Sequence, residues 1–342
     1  MGKPREVARA TAWSGWQPLA GVPARRERAF AETLDGGQAF RWQREPSGAW
    51  LGVWSDNVAR VRLDPSGVIE WSAPASIADR VAVALPSYFA VARDFAALAD
   101  TLPHRSDPHL AACLAEFGGL RILRQPFGET LLGFLCSATK QIVQIKQMLA
   151  LLAARHGAEI CRASVVPVRQ ALGPEPVEGQ TPLRPSAGNG VSTTDALRSI
   201  HRLPTWSELA ELPEATLRTC LLGFRAKFIS QTARFLAAHP GWLEETERLP
   251  YAAAKERLCS LPGVGEKIAD CVLLFGAGKL EAFPVDVWIL KTMARRYGLD
   301  DWKPAQVTQF GRAHFGPLAG YAQQFLFAYE RAAAPSRSAR PT

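Results

Sequence analysis

Cysteine is sparse and scattered. The six residues stand at 113, 136, 161, 220, 259 and 271, and no two form a C-x-x-C pair. That spacing excludes a disulfide framework and gives no zinc-ligand pattern. No cysteine follows Cys271, so a four-cysteine iron–sulfur loop near the C-terminus is excluded as well. Long apolar runs are missing too. None approaches the roughly 20 residues that span a bilayer, so no membrane partner is expected. The opening stretch MGKPREVARATAWSGW has basic residues but no apolar segment of a secretory signal. No carboxylate or histidine grouping has metal-ligand spacing, so no metal and no cofactor is expected.

The rest of the composition is that of an ordinary globular chain, 47% hydrophobic and 21% charged. Its 342 residues can bury a sizeable core in two or three packed units. The formal net charge is +8. A basic balance points to a polyanionic partner, nucleic acid or an anionic surface.

Residues 13–75 read as strands. AFRWQRE, AWLGVWSD, NVARVRLD and VIEWSA are rich in aromatic and β-branched side chains, and EPSG and DPSG punctuate them as turns. Trp42, Trp50, Trp54 and Trp71 are expected in the sheet core. From about 78 the apolar period becomes helical. Residues 126–157 predict two helices, and further helices are predicted over 206–223, 225–238, 250–259, 265–276, 285–297, 304–314 and 317–332. Residues 165–199 are rich in Pro, Gly, Ser and Thr without apolar periodicity, and predict a disordered insertion. The expected class is therefore α+β. An antiparallel sheet domain (13–120) precedes an all-α domain (121–332), and a mobile tail (333–342) follows.

Chemistry concentrates in LPGVGEKIADC, residues 261–271. Pro262 opens a turn, and Gly263 and Gly265 flank Val264 between two predicted helices. Glycines there allow backbone geometries that a Cβ hinders, and amides near a helix N-terminus accept a phosphate oxygen. A helix–hairpin–helix of this kind grips a nucleic-acid backbone without reading sequence. Lys267 lies in the first turn of the second helix. A cation in such a turn is poorly placed against the helix dipole, and a neutral amine is a nucleophile. Cys271, four residues on, shares its helix face. By itself Lys267 reads as a solvated charge. The residue that changes this is Asp286, 19 positions downstream in EAFPVDVWIL. It reads as an N-cap, and also as a carboxylate facing the lysine that stays ionised and stabilises positive charge on a sugar ring. In AQQFLF, Gln323 and Phe327 share one helix face, which suits a base pocket and equally an ordinary amphipathic helix.

With these residues in place, the chain resembles the 8-oxoguanine DNA glycosylase/AP-lyase family of helix-hairpin-helix glycosylases. The resemblance covers roughly 30–160 and 200–331. It rests on GGQAFRW (36–42), LRILRQPFGETLLGFLCSATKQI (120–142), LLGFRAKFI (221–229), LPGVGEKIADC with PVDV, and FGPLAGYAQQFLF (315–327). It implies that Lys267 attacks C1′ and forms a Schiff base, and that Asp286 stabilises the oxocarbenium-like charge. It implies a flipped base held between Phe327 and Cys271, its edge read by Gln323, and the Gly37 carbonyl accepting the N7–H that 8-oxoguanine has and guanine lacks. Phe224 falls where the family places an aromatic wedge, and Arg225 falls near the opposite cytosine. Pro262, Gly263, Val264 and Gly265 would hold a phosphate.

The sequence also departs from the family. Eukaryotic members carry an asparagine run where Thr139, Lys140 and Gln141 stand here, Gln144 replaces an expected arginine, and Trp288 replaces a histidine. Thr139, Lys140 and Gln141 are expected to touch DNA without an assigned base. The partner implied is duplex DNA with a damaged base, bound by a monomer in the cytoplasm (at the nucleoid if the chain is bacterial). Two other readings stand beside this one: a glycosylase for an alkylated or other oxidised base, and a non-catalytic helix-hairpin-helix DNA-binding protein.

Overall fold

The computed structural model describes residues 12–164 and 197–333, Ala24 excepted. Five antiparallel strands form one sheet, in the order β1 (Gln17–Pro18), β5 (Ile69–Ser72), β4 (Asn57–Leu63), β3 (Trp50–Trp54) and β2 (Trp42–Arg44). The register puts Trp50 opposite Val61, and Val61 opposite Trp71, so the bulky residues stack along one face. Trp42, Trp50, Trp54 and Trp71 are all buried in this core. Gly52 lies opposite Trp42, and a Cβ there would come within 2.3 Å of the indole. The ring therefore packs flat on the bare backbone. The Trp42 indole N–H donates to the Tyr88 hydroxyl at 3.0 Å. Both predicted turns form, with Gly48 and Gly67 at positive φ.

The strand reading of 13–75 needs one correction. Glu27–Asp35 is a helix that buries Ala29, Phe30, Thr33 and Leu34 against the sheet. Its apolar positions recur at three- and four-residue spacing, which outweighs the surrounding strand pattern. Helix Ala78–Tyr88 completes this unit through Val81, Leu85 and Tyr88.

The second core is helical and larger. Phe95–Thr101 and Pro108–Glu116 pack into it, as do Phe127–Leu135, Ile142–His156, Arg225–Ala238, Tyr251–Cys259, Glu266–Phe275, Val287–Tyr297, Pro304–Phe315 and Ala319–Ala333. Residues 206–223 are not one helix. They divide into Trp206–Ala210, Glu214–Leu217 and a π-type turn at Arg218–Leu222 in which Leu221 leaves the helical region. Trp242–Arg248 is a further short helix that follows Gly241 in the left-handed region.

The insertion expected at 165–199 lies outside the described residues from 165 to 196. Its last three residues are not loop. Leu197–His201 (β7) pairs antiparallel with Glu159–Ser164 (β6). Arg41 ties this ribbon to the main sheet by donating to the His201 carbonyl at 2.6 Å. Of the tail, Ala333 closes the last helix, and the remainder lies outside the described residues. No helix among the described residues is long and apolar enough to cross a membrane.

Candidate active site

Helix Tyr251–Cys259 and helix Glu266–Phe275 enclose the hairpin. Gly263 sits at φ 79°, and a Cβ there would press to 2.6 Å on the Phe228 ring, so only glycine fits. Gly265 is different. Its φ is −95° in extended backbone, and a Cβ would meet nothing within 4 Å. The free fold does not require this glycine; it leaves open space beside a helix N-terminus. Val264 is buried, and its amide donates to the Leu261 carbonyl at 3.1 Å, so the valine anchors the turn to the core. Thr232 reaches the Pro262 carbonyl at 3.5 Å from the neighbouring helix.

Lys267 is half-buried. Its ammonium donates to Ser137 Oγ at 3.4 Å and stands 5.4 Å from the Phe134 ring centroid. Asp286 caps helix Val287–Tyr297, and Oδ1 accepts from the amides of Trp288 (3.0 Å) and Ile289 (2.9 Å). Lys267 and Asp286 sense one another electrostatically, yet no ion pair joins them among the described residues. The expectation that the capping carboxylate simply stays ionised is modified here. Burial raises the Asp286 pKa, and the Ile289 amide, the Lys267 charge and the Trp288 amide oppose that rise only in part. Cys271 lies within the field of both residues. Burial pushes its thiol up to about 12, so it stands as a neutral apolar surface at physiological pH.

Helix Ala319–Ala333 brings Gln323 and Phe327 to the same region. The Gln323 amide donates to the Pro284 carbonyl at 3.1 Å, two residues before Asp286. Its Oε1 accepts from Gln324 Nε2 at 2.7 Å, so both ends of the buried amide are held. Gly37, at φ 96°, belongs to the sheet unit. A Cβ there would stand 3.1 Å from Ile142 and 3.8 Å from the Phe327 ring. Tertiary packing thus brings Gly37 against Phe327, 290 positions later in the chain.

The loop at 137–141 lies alongside. Thr139 adopts φ 54°, and Thr139, Lys140 and Gln141 are exposed. The Gln141 amide donates to Gln144 Oε1 at 3.1 Å, which gives Gln144 a structural task at the start of helix Ile142–His156. Phe224 is exposed. Arg225 is buried instead. Its guanidinium donates to the Leu222 carbonyl (3.3 Å), the Ala138 carbonyl and Thr139 Oγ1 (3.0 Å), and stacks on Phe224 at 4.4 Å. It locks two loops together rather than projecting outward.

Sequence reasoning missed four residues of this region. Ser137 and Phe134 cradle the lysine, Gln324 holds Gln323, and Asp270 secures the lysine helix. Asp270 is buried and accepts from the Tyr251 hydroxyl (2.7 Å) and Lys255 Nζ (3.0 Å). Only Asp270 carried a sequence signal, a carboxylate among apolar residues of one helix. No group of three or more His, Cys, Asp or Glu side chains that could hold a metal occurs among the described residues.

Residues 23–131 match the family model of the 8-oxoguanine DNA glycosylase N-terminal domain. The chain is 40% identical over 115 residues to a probable N-glycosylase/DNA lyase of Methanothermobacter thermautotrophicus, a match covering 34% of this chain and 36% of that relative. It is 27% identical over 329 residues to the N-glycosylase/DNA lyase OGG1 of Arabidopsis thaliana, which covers 92% of this chain and 80% of the plant protein. The solved 8-oxoguanine glycosylase/lyase of Clostridium acetobutylicum, in complex with duplex DNA carrying cytosine opposite 8-oxoG, superposes with a TM-score of 0.72 at 29% identity. It covers 89% of this chain and 91% of its own. Together with the hairpin and the N-terminal sheet, these likenesses, two of which span most of the chain, support the 8-oxoguanine DNA glycosylase family of the helix-hairpin-helix superfamily.

Proposed function

We propose that this protein excises 8-oxoguanine from duplex DNA and then cleaves the strand as an AP lyase. The observation that carries the reading is the placement of Lys267 within the field of Asp286, without an ion pair, in the first turn of the helix that follows the Gly263–Gly265 hairpin. The open space at Gly265 and the helix N-terminus behind it suit a backbone phosphate. That anchor sets the sugar near the lysine.

In this reading the lesion nucleotide leaves the stack, since its glycosidic bond is shielded inside the duplex. The Lys267 amine bonds to C1′ while the bond to the base breaks, and the base departs with a proton. Sugar-ring opening gives the Schiff base. Loss of a C2′ proton then expels the 3′-phosphate by β-elimination. Asp286 stabilises the cationic sugar, in an environment dry enough to strengthen that interaction. Gly37, Cys271, Gln323 and Phe327 form the base pocket, with the Gly37 carbonyl as acceptor for N7–H. Pro262, Gly263, Val264 and Gly265 supply the phosphate turn. Thr139, Lys140, Gln141 and Phe224 meet DNA, with Arg225 supporting them from behind.

Borohydride trapping on a duplex containing 8-oxoguanine tests this directly. A covalent adduct is expected, and Lys267→Gln is expected to abolish it. An undiminished adduct in that variant sinks the assignment. Release of 3-methyladenine without release of 8-oxoguanine would favour an alkyl-base glycosylase. Equal affinity for intact and damaged duplexes with no cleavage would favour a binding module.

A further inference from the structure

We propose that Leu221 is a second wedge. With Phe224 it enters the base stack as the damaged nucleotide is drawn out. The proposal rests on the glycosylase reading above.

Leu221 is 52% exposed, as is Phe224 three residues later. Its φ is 63°, in the left-handed region that bulky L-residues avoid. Such strain persists only where the surroundings impose it. Here they do. Cys220 and Leu222, on either side, are fully buried. Three arginines fix the loop carbonyls: Arg155 donates to Thr219 at 2.8 Å, Arg225 to Leu222 at 3.3 Å and Arg218 to Gly223 at 3.3 Å. The loop is therefore stiff, and it holds an apolar side chain out into water. Folding gains nothing from that arrangement.

The surroundings point to a ligand. Six large hydrophobic residues are exposed among the described residues, and four of them lie on segments that build the site: Val143, Leu221, Phe224 and Val287. The Arg225 that braces Leu222 also grips Ala138 and Thr139, next to the Ser137 that holds Lys267. On the other side, Phe224 meets Phe228 edge-on at 6.2 Å, and the Phe228 ring is the surface against which Gly263 packs. Leu221 is thus rigidly linked to both the lysine and the phosphate hairpin. Apolar wedges unstack base steps and kink the duplex. A wedge held rigid before binding loses little freedom on insertion. The strain at Leu221 keeps it presented.

The test separates this role from a structural one. Leu221→Gly relieves the left-handed strain, so its melting temperature should hold or rise. Single-turnover excision from an 8-oxoguanine:cytosine duplex should fall about tenfold or more. Cleavage of the same duplex carrying an abasic site, where no base must leave the stack, should stay within about twofold, and Leu221→Met should restore excision. Wild-type excision by Leu221→Gly, or equal losses on both duplexes, would overturn the wedge. A wild-type protein inactive on both duplexes would overturn the glycosylase reading itself, a separate result.

Discussion

Lys267 and Asp286 lie within electrostatic reach of each other yet form no ion pair. Each is tethered elsewhere, the lysine to Ser137 Oγ at 3.4 Å and the carboxylate to the amides of Trp288 and Ile289. The arrangement keeps both groups poised without letting them neutralise one another. It also makes Asp286 a strained choice for stability. Burial raises its pKa, so its favourable contribution is present below the unfolded value near ~3.9 and is lost as pH climbs through the folded one. Asp286→Asn keeps an amide acceptor for the cap. Its melting temperature at pH 7.5 should therefore equal or exceed that of the wild type. Excision should fall about 10²-fold or more. A variant that loses stability and activity together would show that Asp286 serves the fold first.

Gly37 should tolerate no side chain. Its φ of 96° strains any L-residue, and the new Cβ would stand 3.1 Å from Ile142. Gly37→Ala should lower unfolding free energy by about 1–2 kcal/mol in urea, with reduced excision because the Phe327 ring is the next neighbour. Unchanged stability would mean that the turn can relax into ordinary backbone.

The lysine helix is held by a buried charge. Asp270→Ala leaves the Tyr251 hydroxyl and Lys255 without their shared acceptor, and should cost about 3–5 kcal/mol by urea unfolding. The control is Lys255→Met together with Asp270→Leu. Replacing both partners by apolar groups should recover much of that loss. Equal destabilisation by the single and double variants would show that the pair itself has no special weight.

Glu129 gives the protein a pH signature. Burial pushes its carboxyl up to about 7, against the nearby Arg41 charge and the hydrogen bond from the Ser55 amide. A raised folded pKa stabilises below the unfolded value of ~4.3 and loses that contribution as pH rises through 7. Wild-type stability should therefore decline between pH 5 and 8. Glu129→Gln should flatten the curve and raise stability at pH 8. Parallel profiles for the two proteins would place the titration elsewhere.

Much of the architecture was legible before any tertiary contact. The aromatic- and β-branched-rich runs of 40–72 and the DPSG turn specify strands because side-chain type and turn chemistry are local properties. The L-P-G-V-G hairpin and the capping aspartate are likewise local. The misreadings have a common origin. Helix Glu27–Asp35 was masked by neighbouring strand patterns, and β7 depends on pairing with β6 across some 40 residues of sequence. No periodicity within either strand records that partner.

Sequence alone determined which chemical groups are present and how they are spaced: a lysine and an aspartate 19 residues apart, a glycine-bearing hairpin, and a glutamine and an aromatic on one helix face. Tertiary structure decided what surrounds them. It half-buried Asp286 and raised its pKa, turned Arg225 inward, set Gly37 against Phe327, showed Gly265 facing open space, and held Leu221 outward in a strained turn. Desolvation, field strength and exposure arise from contacts between distant segments. Spacing along the chain fixes none of them.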